Sequence, residues 1–154
     1  MTVQDTIERA VVFPVSRDRV WTAITDPSQL EKWFGTKAEF KRLVVGEPML
    51  FGWGPDEIYR GRIEVVEPMH HFAYRWNSGK SDMETPFDDM PTTLVTFRLE
   101  DLPEGAGTRL TLVESGFASL PDNLRDKQWQ ENRSGWDAEI ADLAAHLGVQ
   151  KEVK

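Results

Sequence analysis

The residue of greatest chemical interest in this 154-residue chain is a carboxyl group placed among apolar strand residues. In the segment Arg109–Ser115, Leu110, Leu112 and Glu114 share one parity and so point to one face of a strand. A carboxylate buried on an apolar face must find a hydrogen-bond donor or take up a proton. Glu114 then reads either as the polar anchor of a pocket or as a strand end near the rim that reaches water. An acid–base role beside Tyr59 or Tyr74 is the enzymatic alternative. The aromatic residues supply the rest of the candidate lining. Phe72, Tyr74 and Trp76 share a face, as do Val95, Phe97 and Leu99; Phe51 and Trp53 form another set, and Tyr59 falls with Ile63 and Val65. Aromatic walls of this kind suit flat or lipid-like ligands.

Other chemistry is sparse. With no cysteine, thiolate chemistry and disulfides are absent. His70 and His71 are adjacent on a strand, diverge to opposite faces, and lie in no zinc spacing. Asp82, Glu84, Asp88 and Asp89 make an acidic loop without calcium-loop spacing. Gly105-Ala106-Gly107 lies between two strands rather than before a helix, and Ser115-Gly116-Phe117 lacks the flanks of a nucleophile elbow. No catalytic residue, metal or cofactor is assigned from the sequence.

The elements that position these residues can be read from hydrophobic period. Thr6 to Phe13 reads as a strand ended by Pro14. Ser16 can cap a helix to about Thr25, with Val20, Trp21 and Ile24 as its apolar face. Asp26-Pro27 opens a second short helix that carries Leu30, Trp33 and Phe34 and stops at Gly35. The period then changes to two, giving strands at Ala38–Val45, Pro48–Trp53, Ile58–Glu67, His71–Trp76, Thr92–Leu99 and Arg109–Ser115, with turn residues between them. Short connections favour antiparallel neighbours. The exception is 77–91, a long acidic segment of the kind used as a lid, binding loop or interface, or left disordered. Arg62, Arg75 and Arg98 have the parity opposite to the aromatic set and belong on the convex, solvated face. A helix follows from about Asn123 to Leu147, on which Trp129, Trp136, Ile140, Leu143 and Leu147 form one stripe. It spans roughly 36 Å, enough to cross a small sheet.

This order predicts an α+β helix-grip fold: a curved antiparallel sheet of six to seven strands around a long C-terminal helix, with two short helices after the first strand. One domain over 1–154 is expected, with 149–154 as a flexible tail. The hydrophobic fraction of 40% and the charged fraction of 29% are those of a soluble globular protein, and no apolar run is long enough to insert in a membrane. Met1 to Arg9 carries Asp5 and Glu8 and no apolar h-region, so a cytoplasmic location is expected. A net charge of −8 opposes nucleic-acid binding, which needs a local excess of Lys and Arg.

Four clusters of residues resemble one known family in order along the chain. They are Val20-Trp21-Thr22-Ala23-Ile24-Thr25-Asp26-Pro27 with Leu30 and Trp33, then Gly61, Val65, Glu67-Pro68, Phe72 and Trp76. Next come Val95-Thr96-Phe97 with Gly107-Thr108-Arg109-Leu110-Thr111 and Glu114-Ser115-Gly116-Phe117, and finally Gly135-Trp136 with Ile140, Leu143 and Leu147. Together they are similar to the START-like (SRPBCC) superfamily, and within it to the group named after the heat-shock-protein-90 ATPase activator homologues. The resemblance implies a helix-grip fold with a cavity for hydrophobic or amphipathic ligands. It does not imply one activity, since relatives include lipid carriers, polyketide cyclases and plant-hormone-binding proteins.

The expectation is therefore a binding module for a small hydrophobic or amphipathic molecule held between sheet and helix. Its lining is Phe51, Trp53, Tyr59, Phe72, Tyr74, Trp76, Phe97, Leu112, Glu114 and Trp136, with Trp129 and Phe87 closing the mouth. The alternatives are a cyclase- or dehydratase-type enzyme using Glu114, and a co-chaperone-like interaction module. A second copy of the chain and a chaperone are the candidate protein partners.

Overall fold

Alternating apolar and polar residues give each strand one face for a core and one for water, and the structure uses that alternation throughout. The computed structural model describes residues 4–78 and 82–149, and the backbone of 152–153. Strand β1 (Thr6–Phe13) is followed by helices α1 (Arg17–Thr25) and α2 (Pro27–Trp33). The sheet continues with β2 (Lys37–Glu39), β3 (Pro48–Gly52), β4 (Ile58–Glu67), β5 (His71–Asn77), β6 (Thr92–Asp101) and β7 (Thr108–Ser115). Helix α3 (Asp122–His146) and a two-residue β8 (Glu152–Val153) complete the order. Every pairing is antiparallel, in the order β2-β3-β4-β5-β6-β7-β1-β8. Among the described residues no helix is long and apolar enough to cross a membrane.

Helix α3 buries Gln128, Trp136, Ile140, Leu143 and Ala144 against the sheet. The inward residues Phe51, Ile63, Phe72, Tyr74, Val95, Phe97, Leu110 and Leu112 meet it and join one continuous core. Asp26 starts α2 by accepting the Ser28 N–H at 2.9 Å, and Pro27 occupies the first turn, where its missing donor does no harm. Gly35 ends that segment at φ +73°. A Cβ there would lie 2.5 Å from the Gly52 carbonyl, so only glycine permits this approach of α2 to β3. The turn delivers Phe34 to the centre of the molecule, within 4.9–5.8 Å of the rings of Phe51, Trp53, Trp76 and Trp136.

Four expectations need adjustment. The second strand is only three residues long, not Ala38–Val45, because the Glu47 side chain accepts the Lys41 and Arg42 N–H groups and holds the chain in a loop. Val65 does not share the inward face with Ile63. Pairing slips between them, from Ile63↔Tyr74 to Val65↔Ala73, and Val66 takes the place against the core. Val149, read as part of the tail, packs against the core and donates its N–H to Ala144. Glu152 and Val153 pair with β1, while residues 150, 151 and 154 of the expected tail lie outside the described residues.

The long connection after β5 also departs from a lid over the pocket; its residues 79–81 lie outside the described residues. Arg60, on the outer face, donates through Nη1 to the Asp82 and Thr85 carbonyls at 2.9 and 2.6 Å. Arg62 pairs with Asp88 at 2.8 Å and sits over the Phe87 ring. Phe87 therefore packs on the convex side, not at the mouth.

Candidate functional site

The site has two layers, and the inner one is built around Glu114. Pairing of β5 with β6 sets Trp76 opposite Thr93, and pairing of β6 with β7 sets Val95 opposite Glu114, so the three polar groups converge on the inner face. Helix α3 adds Asn132 and Trp136, one turn apart on one side. Trp76 Nε1 and Thr93 Oγ1 donate to Glu114 Oε2 at 2.9 and 2.5 Å, and Trp136 Nε1 donates to Oε1 at 2.8 Å. Asn132 Nδ2 lies 3.0 and 3.1 Å from the two oxygens. Glu114 is 0% exposed. Its hydrogen-bond partners are neutral, and each directs a donor at the carboxyl, the two indoles being able only to donate while Thr93 and Asn132 also carry an acceptor. The carboxyl group thus ties three strands to α3 and is a buried anchor, neither a rim residue nor a group facing the pocket.

The outer layer is a cavity of about 230 Å³ between α3 and the β3–β5 end of the sheet. Phe34, Trp53, Tyr59, Trp76 and Trp136 form its aromatic walls. Trp53 and Trp76 each meet Tyr59 with centroids 5.5 Å apart, and Trp76 lies 6.0 Å from Trp136. Glu57, Glu131 and Glu139 bring carboxyl groups to the rim and wall, and Asn77, Gln128 and Asn132 bring amides. Gly135 faces the space, and a Cβ built there meets nothing within 4 Å. Trp76, Asn132 and Trp136 belong to both layers, separating Glu114 from the cavity while donating to it.

Charge in the outer layer is one-sided. Glu139 Oε1 accepts Trp53 Nε1 at 3.2 Å, whereas Oε2 is buried without a hydrogen-bonding protein partner of good geometry. Burial pushes its carboxyl above the usual carboxylate range. The Trp53 N–H offsets part of this, Asp142 adds to it, and a weak contribution from the Gly35 N–H opposes it. Burial likewise raises Tyr59, with Glu57, Glu131 and Glu114 adding to it. The Tyr74 hydroxyl is buried without a protein partner, and burial raises it well above the ordinary phenol value.

Of the residues expected to line a pocket, Trp53, Tyr59, Trp76 and Trp136 meet at the cavity. Phe51, Phe72, Tyr74, Phe97 and Leu112 lie deeper in the packed core, each at most 3% exposed. Trp129 points along β1, where its Nε1 donates to the Thr6 carbonyl and Arg133 covers its ring. Parity identified the inward face but could not separate residues filled over by α3 from those left at its edge. Phe34, Glu57, Glu131, Gly135 and Glu139 escaped the sequence reading. A signal was present in α3: residues 128, 132, 135 and 139 follow spacings of 4, 3 and 4 beside the apolar stripe, with a mid-helix glycine among them. His70 faces Arg17 and His71 faces Glu67. Among the described residues no three His, Cys, Asp or Glu side chains gather to hold a metal.

A sheet gripping one long helix, with an aromatic cavity at one end of their contact, defines a helix-grip protein. The chain belongs to the family of Activator of Hsp90 ATPase homolog 1-like proteins, whose pattern matches residues 14–148. No curated protein sequence matches it. It is similar to the crystal structure of protein MLL2253 from Mesorhizobium loti, at 26% identity and TM-score 0.74, over 93% of this chain and 96% of the other. PFC0360w, an HSP90 activator from Plasmodium falciparum, is 18% identical at TM-score 0.74, covering 97% and 100% of the two chains. The Aha1 dimer from Colwellia psychrerythraea is 16% identical at TM-score 0.66, covering 91% and 93%. At such identities the last two likenesses speak for the fold alone.

Proposed function

We propose that this chain binds a small amphipathic molecule in the cavity between β3–β5 and α3. The observation that carries the reading is the cavity itself: five aromatic rings and a helical glycine hold open about 230 Å³ beside an otherwise packed sheet–helix contact. Apolar walls with a few convergent polar groups are the usual construction of a small-molecule site. The volume lies below the roughly 300–1,000 Å³ of pockets for drug-sized ligands, which favours a small ligand or one end of a longer one. An acid–base role for Glu114 gains no support, because both of its oxygens are engaged and the cavity walls cover it. Native mass spectrometry of the purified chain, followed by identification of any co-purifying compound, tests the reading. A near-stoichiometric adduct that is lost in Gly135→Leu supports it, and a compound retained by that variant would place binding elsewhere.

A protein partner is the second reading, favoured by the likeness to an HSP90 activator and to an Aha1 dimer. Val44, Val45 and Met83 are large apolar residues left exposed, and Met83 lines a groove on the outer side of β2–β4. Sedimentation velocity, alone and with a purified Hsp90, tests it. Loss of association in Val45→Asp or Met83→Asp would support a docking role.

A further inference from the structure

We propose that the ligand of this cavity is an organic ammonium ion, its charge held by Glu139 and its apolar substituents by the tryptophan walls. This inference rests on the reading of the cavity as a small-molecule site and names the ligand class. Three observations carry it. Among the described residues every ionisable group at the wall other than Tyr59 is a carboxyl, from Glu57, Glu131 and Glu139, and no Lys, Arg or His lines the space. The rings of Trp53, Trp76 and Trp136 border the same space, and indole faces are the best aromatic partners for a cation. Glu139 stands at the wall with Oε1 engaged by Trp53 Nε1 and Oε2 without a hydrogen-bonding protein partner of good geometry.

These features act together. An N–H of an ammonium ion at the wall would bond to the Glu139 carboxylate, in a charge-assisted bond stronger than one to a neutral hydroxyl. Methylene or aryl groups on the nitrogen would lie on the indoles. An anionic ligand would meet three carboxyl groups with no cation among the described lining residues to compensate, so fatty acids and aryl carboxylates are disfavoured. The chain's net charge of −8 also draws cations toward its surface.

The test uses the full chain and three probes of one shape at constant ionic strength: 2-phenylethylammonium, 2-phenylethanol and 3-phenylpropionate. Binding is followed by tryptophan fluorescence and by isothermal titration calorimetry. The ammonium ion is expected to bind at least tenfold more tightly than the alcohol, and the carboxylate more weakly than either. Glu139→Gln should reduce ammonium affinity tenfold or more with little effect on the alcohol. Gly135→Leu, whose side chain enters open space, should abolish binding of both without unfolding the chain. Equal affinity for ammonium and alcohol, or no effect of Glu139→Gln, would overturn the ligand class while leaving the small-molecule reading intact. Ammonium binding that survives Gly135→Leu would also overturn it, as adventitious association with the acidic surface. Failure of all three probes, with no co-purifying compound, would overturn both readings.

Discussion

Replacing Glu114 by glutamine changes one atom in shape and reverses its hydrogen-bonding sense. In the native cluster Oε1 accepts from Trp136 and Oε2 from Trp76 and Thr93, with Asn132 donating between them. A glutamine has one acceptor and one NH₂ donor. If its oxygen serves Trp76 and Thr93, the NH₂ group faces the Trp136 N–H, 2.8 Å away in the native geometry. If it is turned over, the Thr93 hydroxyl can accept from the NH₂, but the Trp76 N–H loses its acceptor. Either orientation leaves a buried indole donor unsatisfied. Each orphaned group costs about 1–3 kcal/mol, so Glu114→Gln should cost about 3 kcal/mol, a large share of the roughly 5–15 kcal/mol that stabilises a domain. The assay is urea denaturation, in which the midpoint should fall with the slope unchanged. In thermal unfolding the same loss is about 6–12 °C at this chain length. A Trp136→Phe background removes one of the stranded donors and should lower the cost of Glu114→Gln by about 1 kcal/mol in a double-mutant cycle. A cost below about 1 kcal/mol for the single variant, or no coupling to Trp136, would refute the view that donor matching at Glu114 holds the sheet to α3.

Gly135→Ala should stabilise the chain by about 1 kcal/mol, since alanine is the better helix former and its Cβ meets no atom within 4 Å; calorimetry should show Tm rising by about 2–4 °C. Tyr74→Phe removes a buried hydroxyl that has no protein partner and should leave stability unchanged or raise it by up to about 1 kcal/mol, a gain that urea midpoints would detect. The raised pKa of Glu139 means that the folded chain holds a proton that the unfolded chain releases. Its stabilising effect is complete below the ordinary carboxylate pKa and is lost as pH rises through the folded value. Glu139→Gln should therefore flatten stability against pH from about 4.5 upward, and an unchanged slope over that range in a Tm–pH series would contradict the burial of this carboxyl.

The sequence by itself determined the elements and their faces, because those depend on local periodicity. The alternation through Phe72, Tyr74 and Trp76 fixed which side of β5 is inward, and the stripe Trp136, Ile140, Leu143 and Leu147 fixed the face of α3. Asp26-Pro27 and Gly35 bracketed α2 through capping chemistry that acts over a few residues. Where local rules were overridden by neighbours the reading slipped: a bulge between Ile63 and Val65 turned Val65 out, and Glu47 drew 41–42 out of strand geometry. What only the tertiary structure decided is the division of one inward face into a filled core and an open cavity. Phe51 and Trp53 share a parity, yet α3 and Phe34 cover the first and leave the second only partly buried at the edge. The fate of Glu114 was decided in the same way. Its parity placed it inward, but Trp76, Thr93, Asn132 and Trp136 come from three separate elements, and no local pattern shows that their donors meet on one carboxyl. Glu139 is the converse case, a charged helix residue whose spacing resembles any solvated face until packing against Trp53 buries one of its oxygens.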